Sequence, residues 1–485
     1  MLQKISMKLY NTLTKSIEEF VPQEPNVVKI YSCGVTTYDE IHLGHARQAV
    51  VFDVLRNYFE YLGYDVIYVR NFTDIDDKII KKADEQKRDP LELSSFYVEE
   101  TASDLHKIKV EDATYQPKVT EHIADIINLI GSLIEKGYAY VANGEVLFSI
   151  NRFKEYGKLS GRNVQDLISA DESPNKQKPY DFALWKPNKA GEPFWDSPWG
   201  PGRPGWHIEC SAMAKRYLGD TVDIHGGGID LIFPHHENEI AQSEAANEKP
   251  LARYWVHNGL VNVNGQKMSK SLGNFYTVKD MLKKYTADEI RMAVLVHGYS
   301  TPIDFSDDLF LGIRKRSYSF YKVLARISQF KLSEGDDIKI DENKYKDILN
   351  LESNFRDAMD DNLNTPRVIA NLSAVFTRLN STLEDPDNRE KEAVFSVFMK
   401  QFRVVTSVLK ILDEEPVAYI NSLKRTILKE RGITAEEIEG LIRERKQVKK
   451  EKNYQRSDEI KEQLLKYKIN IQDKKDDITW DVDFG

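Results

Sequence analysis

Three groups of residues in this chain are of the types that do chemistry. His42 and His45 flank Gly44; Lys267 and Lys270 bracket Met268 and Ser269, with Ser271 following; Cys33 and Cys210 are the only two cysteines in 485 residues. Two imidazoles at the amino end of a helix suit an anion such as a phosphate, because backbone N–H groups and the helix dipole converge there. Gly44 between them lets a ligand approach the backbone closely. The same spacing also suits two histidines that cap or pack at a helix terminus. Two lysines among small polar residues on a loop suit a clamp on a polyphosphate, or a solvated basic turn. In a reducing compartment two lone cysteines are buried apolar residues or metal ligands rather than a structural disulfide.

The elements that must position these residues are legible from periodicity. Val27 to Tyr31 is a short apolar run of strand character. Val50, Val51, Val54, Leu55, Tyr58, Phe59 and Leu62 recur at helical spacing up to Gly63, and a second strand runs from Tyr64 to Phe72. Strand, helix, strand at this length is a βαβ unit with parallel strands. It puts His42 and His45 at the carboxyl end of a strand and the amino end of a helix, with Cys33 nine positions before His42. A helix is expected from Thr73 to Gln86, and others over Ser94 to Lys107 and Glu121 to Lys136. Asn143-Gly144 between two apolar runs predicts a hairpin.

From 151 to 205 the pattern breaks up among prolines at 174, 179, 187, 193, 198, 201 and 204, which reads as an insertion over about 115–204. Trp206 to Leu218 is then expected as a helix and Asp220 to His225 as a strand running into Gly226-Gly227-Gly228. Pro234 is expected to start a helix, the position proline tolerates best. On that helix His235 and Glu239 stand one turn apart and project from one face. Trp255 to Val263 with Asn264-Gly265 predicts a second hairpin leading to the lysine pair, followed by helices over Thr277 to Tyr285 and Ala287 to Val296. Phe310 to Leu412 is helical in pattern, with Phe355, Met359, Ala370, Leu372, Val375, Phe376 and Leu379 as candidate core. After Tyr419 the composition turns basic through Arg443, Arg445, Lys446, Lys449, Lys450, Lys452 and Arg456. Such a run suits a solvated helix face. With Tyr454 and Trp480 beside it, it also suits stacking on unpaired RNA bases.

Hydrophobic content of 41% and charged content of 30% are those of a soluble globular chain, and the length predicts two to four domains. No stretch approaches the roughly 20 apolar residues of a membrane span, and the first ten residues lack a secretory signal, so a cytoplasmic protein with no membrane partner is expected. A net charge of -9 argues against a surface coated by nucleic acid and leaves room for a local basic stripe.

The histidine and lysine stretches together resemble the paired nucleotide-binding signatures of class I aminoacyl-tRNA synthetases. The words Cys33 to Asp39, Arg70 to Lys78, Gly205 to Ser211 and His225 to Asp230 are similar to those of the cysteine–tRNA ligase family, and the resemblance covers nearly the whole chain. It implies an α/β fold: a Rossmann-like parallel-sheet catalytic domain (1–114 and 205–250) with a connective insertion (115–204) that reaches the acceptor end of a tRNA. A stem-contact region (251–307), a helical anticodon-stem bundle (308–415) and a small C-terminal anticodon-binding domain (416–485) follow. It implies ligation of L-cysteine to tRNA(Cys) by a monomer, through a cysteinyl-adenylate made from ATP with Mg2+. His42, His45, Lys267 and Lys270 would be catalytic. Gly44, His225, Gly227, Asp230 and Lys270 would hold the nucleotide, and Cys33, Gly34, Thr73 and Trp206 the amino acid. One Zn2+ would sit on Cys33, Cys210, His235 and Glu239; the neighbours His236, Glu237 and His207 could substitute by small rotations, while His236 and Glu237 better suit hydrogen-bonding partners that orient the ligands. Cys33, Cys210, His235 and Glu239 are permitted zinc ligands, though scattered and without a Cys-x-x-Cys pair. Thr73 also suits a helix cap and Trp206 a core position. Near Trp480 the expected glycine before Thr479 is missing. Two other readings share these features: a ligase joining activated cysteine to an amino sugar, and a non-catalytic RNA-binding protein with structural zinc.

Overall fold

The chain enters through an antiparallel pair, β1 (Lys8–Asn11) and β2 (Ser16–Glu19), and runs into the strand on which the site is built, β3 (Val27–Thr36). The computed structural model describes residues 7–163, 173–268, 273–330, 340–386, 388–473 and 478–484, so Lys270 lies outside the described residues. Val28, Ile30, Tyr31, Ser32 and Cys33 are all buried, the near-continuous burial of a parallel strand covered on both faces. Helix α1 (Leu43–Tyr61) crosses over to β4 (Asp65–Thr73), which pairs with β3 in parallel from Val27↔Asp65 to Thr36↔Thr73. The βαβ unit forms as its periodicity predicts.

The next helix starts later than expected. Thr73 closes β4, and α2 (Asp77–Gln86) begins where the Asp76 side chain accepts the Lys78 amide, so Asp76 and not Thr73 is its cap. Helix α3 (Pro90–Lys107) starts four residues before the expected Ser94, with Asp89 as cap and Pro90 in the first turn. After α4 (Ile123–Glu135), strands β5 (Ala139–Ala142) and β6 (Glu145–Phe148) form the expected hairpin, Asn143 and Gly144 taking φ of 52° and 78°. The proline-rich stretch is more ordered than its pattern indicates. Strands β7 (Phe182–Pro187) and β8 (Gly202–Pro204) extend the hairpin into a four-stranded antiparallel sheet. Pro187 ends a strand and Pro204 lies on the edge strand, where a missing N–H is tolerated.

Helix α5 (Ile208–Leu218), strand β9 (Val222–Gly228), helix α6 (Glu237–Asn247) and strand β10 (Ala252–Asn258) complete the parallel sheet in the order β10-β9-β3-β4. Strand β9 outlasts its expected end at His225, because Gly226, Gly227 and Gly228 pair with Val256, His257 and Asn258. Pro234 does not open a regular helix. Phe233 before it is extended (φ −137°), as a residue preceding proline prefers, and Ile232–His236 is a wide irregular turn that leads into α6 at Glu237. From β3 the chain proceeds outward to β4, and from β9 outward to β10. The strand order therefore reverses between β3 and β9, the place where open α/β sheets bind ligands.

Strand β11 (Val261–Val263) is separated from β10 by Gly259 and Leu260, so the expected single strand is two. It pairs with β12 (Gln266–Lys267) through Asn264-Gly265, and after α7 (Val278–Leu282) and α8 (Ala287–Leu295) it gains a parallel neighbour, β13 (Ile303–Phe305).

Packing divides the chain into two units. The first contains residues up to 306 with 350–372 and 407–410; the second contains 307–349, 373–406 and 411 onward. The helices after β13 are α9 (Asp307–Ile327), α10 (Lys346–Leu349), α11 (Leu351–Asp360), α12 (Thr365–Glu384) and α13 (Lys391–Leu409). Helix α11, expected inside the 308–415 bundle, belongs to the first unit: Phe355 packs edge-on to Tyr58 and Tyr61, and the Tyr58 hydroxyl donates to Asp360 at 2.6 Å. Ala370 is exposed, while Val368, Ile369 and Leu372 are buried.

In the second unit Phe320 stacks on Phe376 at 4.2 Å, with Phe398 and Phe402 around it. This unit continues through α14 (Pro416–Arg431), α15 (Ala435–Lys450), α16 (Tyr454–Lys466) and the hairpin of β14 (Ile469–Asp473) and β15 (Ile478–Val482). Among the described residues no helix is long and apolar enough to cross a membrane.

Candidate active site and metal centre

At the carboxyl end of β3, Cys33 Sγ meets side chains from α5, β9 and the turn before α6. One ligating atom each from Cys33, Cys210, His235 and Glu239 lie within 4.8 Å of one another, and all four residues are buried. Both thiols are free. Cys33 Sγ is 3.2 Å from Glu239 Oε1, and His235 Nε2 is 3.0 Å from the same oxygen. Two sulfurs, an imidazole and a carboxylate at these separations are the donor set and size of a tetrahedral zinc centre. Glu239 Oε2, also buried, faces His225 Nε2 at 3.2 Å. Although burial pushes it up, His225 and His235 pull the Glu239 carboxyl well below the usual range. The residues fit the ion that the resemblance implies.

A second overlapping set, Cys33, His225, His236 and Glu239, meets the same criterion. His225 is expected at the nucleotide, but it is fully buried, stacked on Tyr31 and turned to Glu239 Oε2 at 3.2 Å. His207 stands behind His235, with their Nδ1 atoms 2.9 Å apart. His236 is held through His257 (2.8 Å) to Thr12 (2.9 Å). Glu237 turns away from the cluster: its carboxylate accepts the backbone amides of Gly157, Leu159 and Ser160 and so anchors the segment before the antiparallel sheet's third strand.

The histidine turn lies on the same side of the sheet's switch point. His42 is the cap of α1: its Nδ1 accepts the Gly44 amide at 3.0 Å, and its own amide donates to His45 Nδ1 at 3.4 Å. The capping reading of these histidines is therefore correct in geometry, and it has a chemical consequence. Each Nδ1 is an acceptor, so each neutral ring carries its proton on Nε2. Burial, with His42 and Lys78 adding, holds His45 neutral well below its ordinary range. The rings stack at 3.8 Å.

Gln48, one turn beyond His45, joins this turn to the sulfur cluster. Its Nε2 donates to the Cys33 carbonyl at 2.6 Å, and its Oε1 accepts the Gly228 amide at 3.1 Å. Gly34, His45, Gln48, Arg70 and Asn71 line one cavity. Asn71 Oδ1 accepts the Gly34 amide at 2.9 Å and lies 3.7 Å from Cys210 Sγ. A Cβ on Gly34 would stand 1.5 Å from the Asn71 carbonyl oxygen, so only glycine fits there. Thr73 is buried and donates to Glu209 Oε2 at 3.0 Å. Trp206 is 36% exposed and stacks on His235 at 4.6 Å, so it is not a core residue. Gly227 is buried at the end of β9, and Asp230 is exposed just beyond it. Lys267 is exposed on β12, its carbonyl accepting from Asn274 at 3.2 Å.

Gln48, Asn71 and Glu209 were not singled out by spacing. Each lies within two residues of an apolar or small-residue run, Ala49 to Phe52, Val66 to Val69 and Cys210 to Ala214, and a polar side chain beside such a run is the signal that marks it.

The parallel sheet with its histidine turn and lysine strand has the architecture of a class I tRNA synthetase. The chain matches the family model described as tRNA synthetases class I (C) catalytic domain over residues 19–315, and a DALR domain over 354–413. Among solved structures, it resembles the methionyl-tRNA synthetase of Mycobacterium tuberculosis in complex with methionyl-adenylate. The TM-score is 0.59 at 13% identity, covering 85% of this chain and 95% of that one. It also resembles a leucyl enzyme in a ternary complex from Agrobacterium radiobacter K84, with a TM-score of 0.60 at 11% identity, over 82% and 86% of the two chains; at these identities the likeness speaks for the fold. A cysteine–tRNA ligase of Geobacter metallireducens is 46% identical over 99% of this chain and 100% of its own, and one of Persephonella marina is 45% identical over 97% and 98%. The chain belongs to the cysteine–tRNA ligase family.

Proposed function

We infer that the chain activates L-cysteine with ATP and transfers it to tRNA(Cys). The observation that carries this reading is the convergence of Cys33, Cys210, His235 and Glu239 beside a histidine turn, the two joined by Gln48. The cysteine carboxylate attacks the α-phosphate of ATP, forming a cysteinyl-adenylate and releasing pyrophosphate; the adenylate then acylates the terminal ribose of the tRNA. The first reaction needs two anions held in line and growing phosphate charge met by fixed donors.

His42 and His45 would supply Nε2–H donors toward the phosphates and ribose, with Gly44 giving close access. Lys267 and Lys270 would close over the pyrophosphate, and Gly227 and Asp230 would seat adenosine. Thr73, Gly34 and Trp206 would seat the amino acid. Cys33, Cys210, His235 and Glu239 would hold zinc, which when bound takes sulfur as a thiolate in preference to a hydroxyl oxygen. Mg2+ would accompany ATP. That preference matters because ordinary pocket contacts separate near-isosteres such as serine and cysteine poorly.

The connective region 115–204 is assigned to the acceptor end and the helices over 308–415 to the anticodon stem, the C-terminal part 416–485 reading the anticodon. Lys424, Arg425, Arg443, Lys446 and Trp480 line a cavity of about 790 Å³ there, and Lys424 Nζ lies 4.5 Å above the Trp480 ring, which supports that assignment. Not all of the basic run takes part: Arg445 is buried against Asp473, which Lys449 also meets at 2.8 Å, and Arg456 pairs with Glu444 at 2.8 Å. The chain is assigned to the cytoplasm as a monomer.

The test is cysteine-dependent exchange of pyrophosphate into ATP, paired with metal analysis of the wild type and of Cys210→Ser. The expected result is exchange by a wild type holding about one zinc per chain, as four ligands predict, and loss of both in the variant. Exchange without charging of cysteine tRNA transcripts would favour the amino-sugar ligase. Bound zinc without exchange would favour a binding protein.

A further inference from the structure

Arg47 follows His45 by two residues on α1 and is fully buried. At 3.6 residues per turn their side chains leave nearly opposite faces of the helix. Arg47 shares its face with Val50, Val51 and Val54, so it is a cation on an apolar stripe. A buried charge without partners costs several kcal/mol, and the partners here are carbonyl groups. One terminal nitrogen donates to the Leu260 carbonyl at 2.8 Å. The other donates to the carbonyls of Tyr299 at 2.7 Å, Gly298 at 3.3 Å and Thr301. Burial lowers the guanidinium to about 10, which leaves it charged at neutral pH.

Those carbonyls lie at two places that matter for the lysine strand. Leu260 immediately precedes β11, and Thr301 lies just ahead of β13. The two strands are parallel neighbours from Val261↔Ile303, and the Ile303 amide donates to the Leu260 carbonyl at 3.0 Å. Strand β12, which carries Lys267, hangs on β11. The far end of the same segment returns to the histidine turn: the Leu43 amide donates to the Tyr276 carbonyl at 3.3 Å and the Val278 amide to the Ile41 carbonyl at 3.0 Å. Leu260 and Tyr276, on either side of the lysine pair, are thus both held at the first turns of α1, Leu260 by the Arg47 guanidinium.

The geometry points to Arg47 as a positioning residue for adenylate formation, one that sets the lysine strand relative to His42 and His45. The inference rests on the functional reading above. Both groups must meet one triphosphate, and a displacement of about 1 Å can cost on the order of 10²-fold in such a reaction. Transfer of already activated cysteine to tRNA follows the departure of pyrophosphate, the group that the lysine strand would hold, so it is the step expected to depend less on that strand's placement. Gly259 offers a second handle on the same clamp without touching Arg47. Its amide donates to the Tyr299 carbonyl at 2.9 Å, and an added Cβ would lie 2.5 Å from the Thr301 oxygen.

Arg47→Lys and Gly259→Ala in the full chain test this. In both, the kcat of cysteine-dependent pyrophosphate exchange is expected to fall roughly ten- to a hundredfold, with the KM for cysteine, the zinc content and transfer from synthetic cysteinyl-adenylate to tRNA all within about twofold of wild type. Equal losses in exchange and transfer mean a general structural role and overturn the proposal, as does undiminished exchange in either variant. If Arg47→Lys does not accumulate folded, Gly259→Ala decides alone. A wild type that gives no cysteine-dependent exchange overturns the functional reading itself, a result separable from the other two.

Discussion

His207 Nδ1 lies 2.9 Å from His235 Nδ1. Two ring nitrogens at that distance share one proton, one donating and the other accepting. Burial, with the neighbouring His235, keeps His207 neutral well below its ordinary range. His235 thereby keeps Nε2 for the cluster, 3.0 Å from Glu239 Oε1. Partners of this kind fix the orientation of a ligating ring, and their loss typically weakens metal binding about 10–100-fold. His207→Ala is expected to lower zinc affinity by that amount in a chelator competition. Unchanged affinity would show that His235 is oriented by the turn alone.

Gly34→Ala is expected to be more severe than its one added methyl indicates. The new Cβ would stand 1.5 Å from the Asn71 carbonyl oxygen, so β3 and β4 must separate where they shift register around Ser32 and Val35. Overpacking of a core costs about 1–3 kcal/mol and more where backbone must move; here the neighbour is backbone, so a loss of about 3 kcal/mol or more is expected in denaturant titration. The same movement draws Asn71 away from Cys210, and zinc content should fall with stability. A variant as stable as wild type would mean that the strands separate freely.

The course of β3, α1 and β4 was legible because apolar period and length leave one arrangement, and the one-turn spacing of His235 and Glu239 survives the irregular turn that replaces the expected helix start. Other parts were not. Cys33 and Cys210 are far apart in sequence, and only the packing of α5 against β3 brings them together. Arg47, Gln48 and Asn71 make the links, but the apolar period of their elements carries no information about what a polar side chain on them meets. Glu237 shows the opposite error: adjacency to the ligands indicated an orienting role, while its carboxylate serves three amides elsewhere.

Lys267→Ala separates the lysine strand's chemistry from its fold. The side chain is exposed on β12, and the strand's own hydrogen bonds run through backbone, so stability and zinc content should not change. Removing a charge that meets developing phosphate charge costs roughly 10²-fold or more in kcat, and exchange should fall by about that factor. A fall in zinc content alongside it would mean that the strand supports the metal centre.

Asp77 gives a pH test outside the metal cluster. Its carboxylate at the start of α2 receives Lys186 from β7 at 2.8 Å and Arg203 from β8, tying the parallel sheet's flank to the antiparallel sheet. Against the upward push of burial, Lys186 and Arg203 hold the carboxyl at about 2, below its ordinary value. A group depressed in the folded state stabilises above the unfolded pKa, about 3.9 for aspartate, and that contribution is lost as pH falls toward the folded value. The side chain is half exposed, so screening limits the effect to about 1 kcal/mol or less. Asp77→Asn should therefore melt slightly below wild type near pH 7, by roughly 1–2 °C, and the two curves should converge between pH 4 and 2. A gap in melting temperature that stays constant down to pH 2 would show that the amide is disfavoured by shape and that the ion pair contributes nothing.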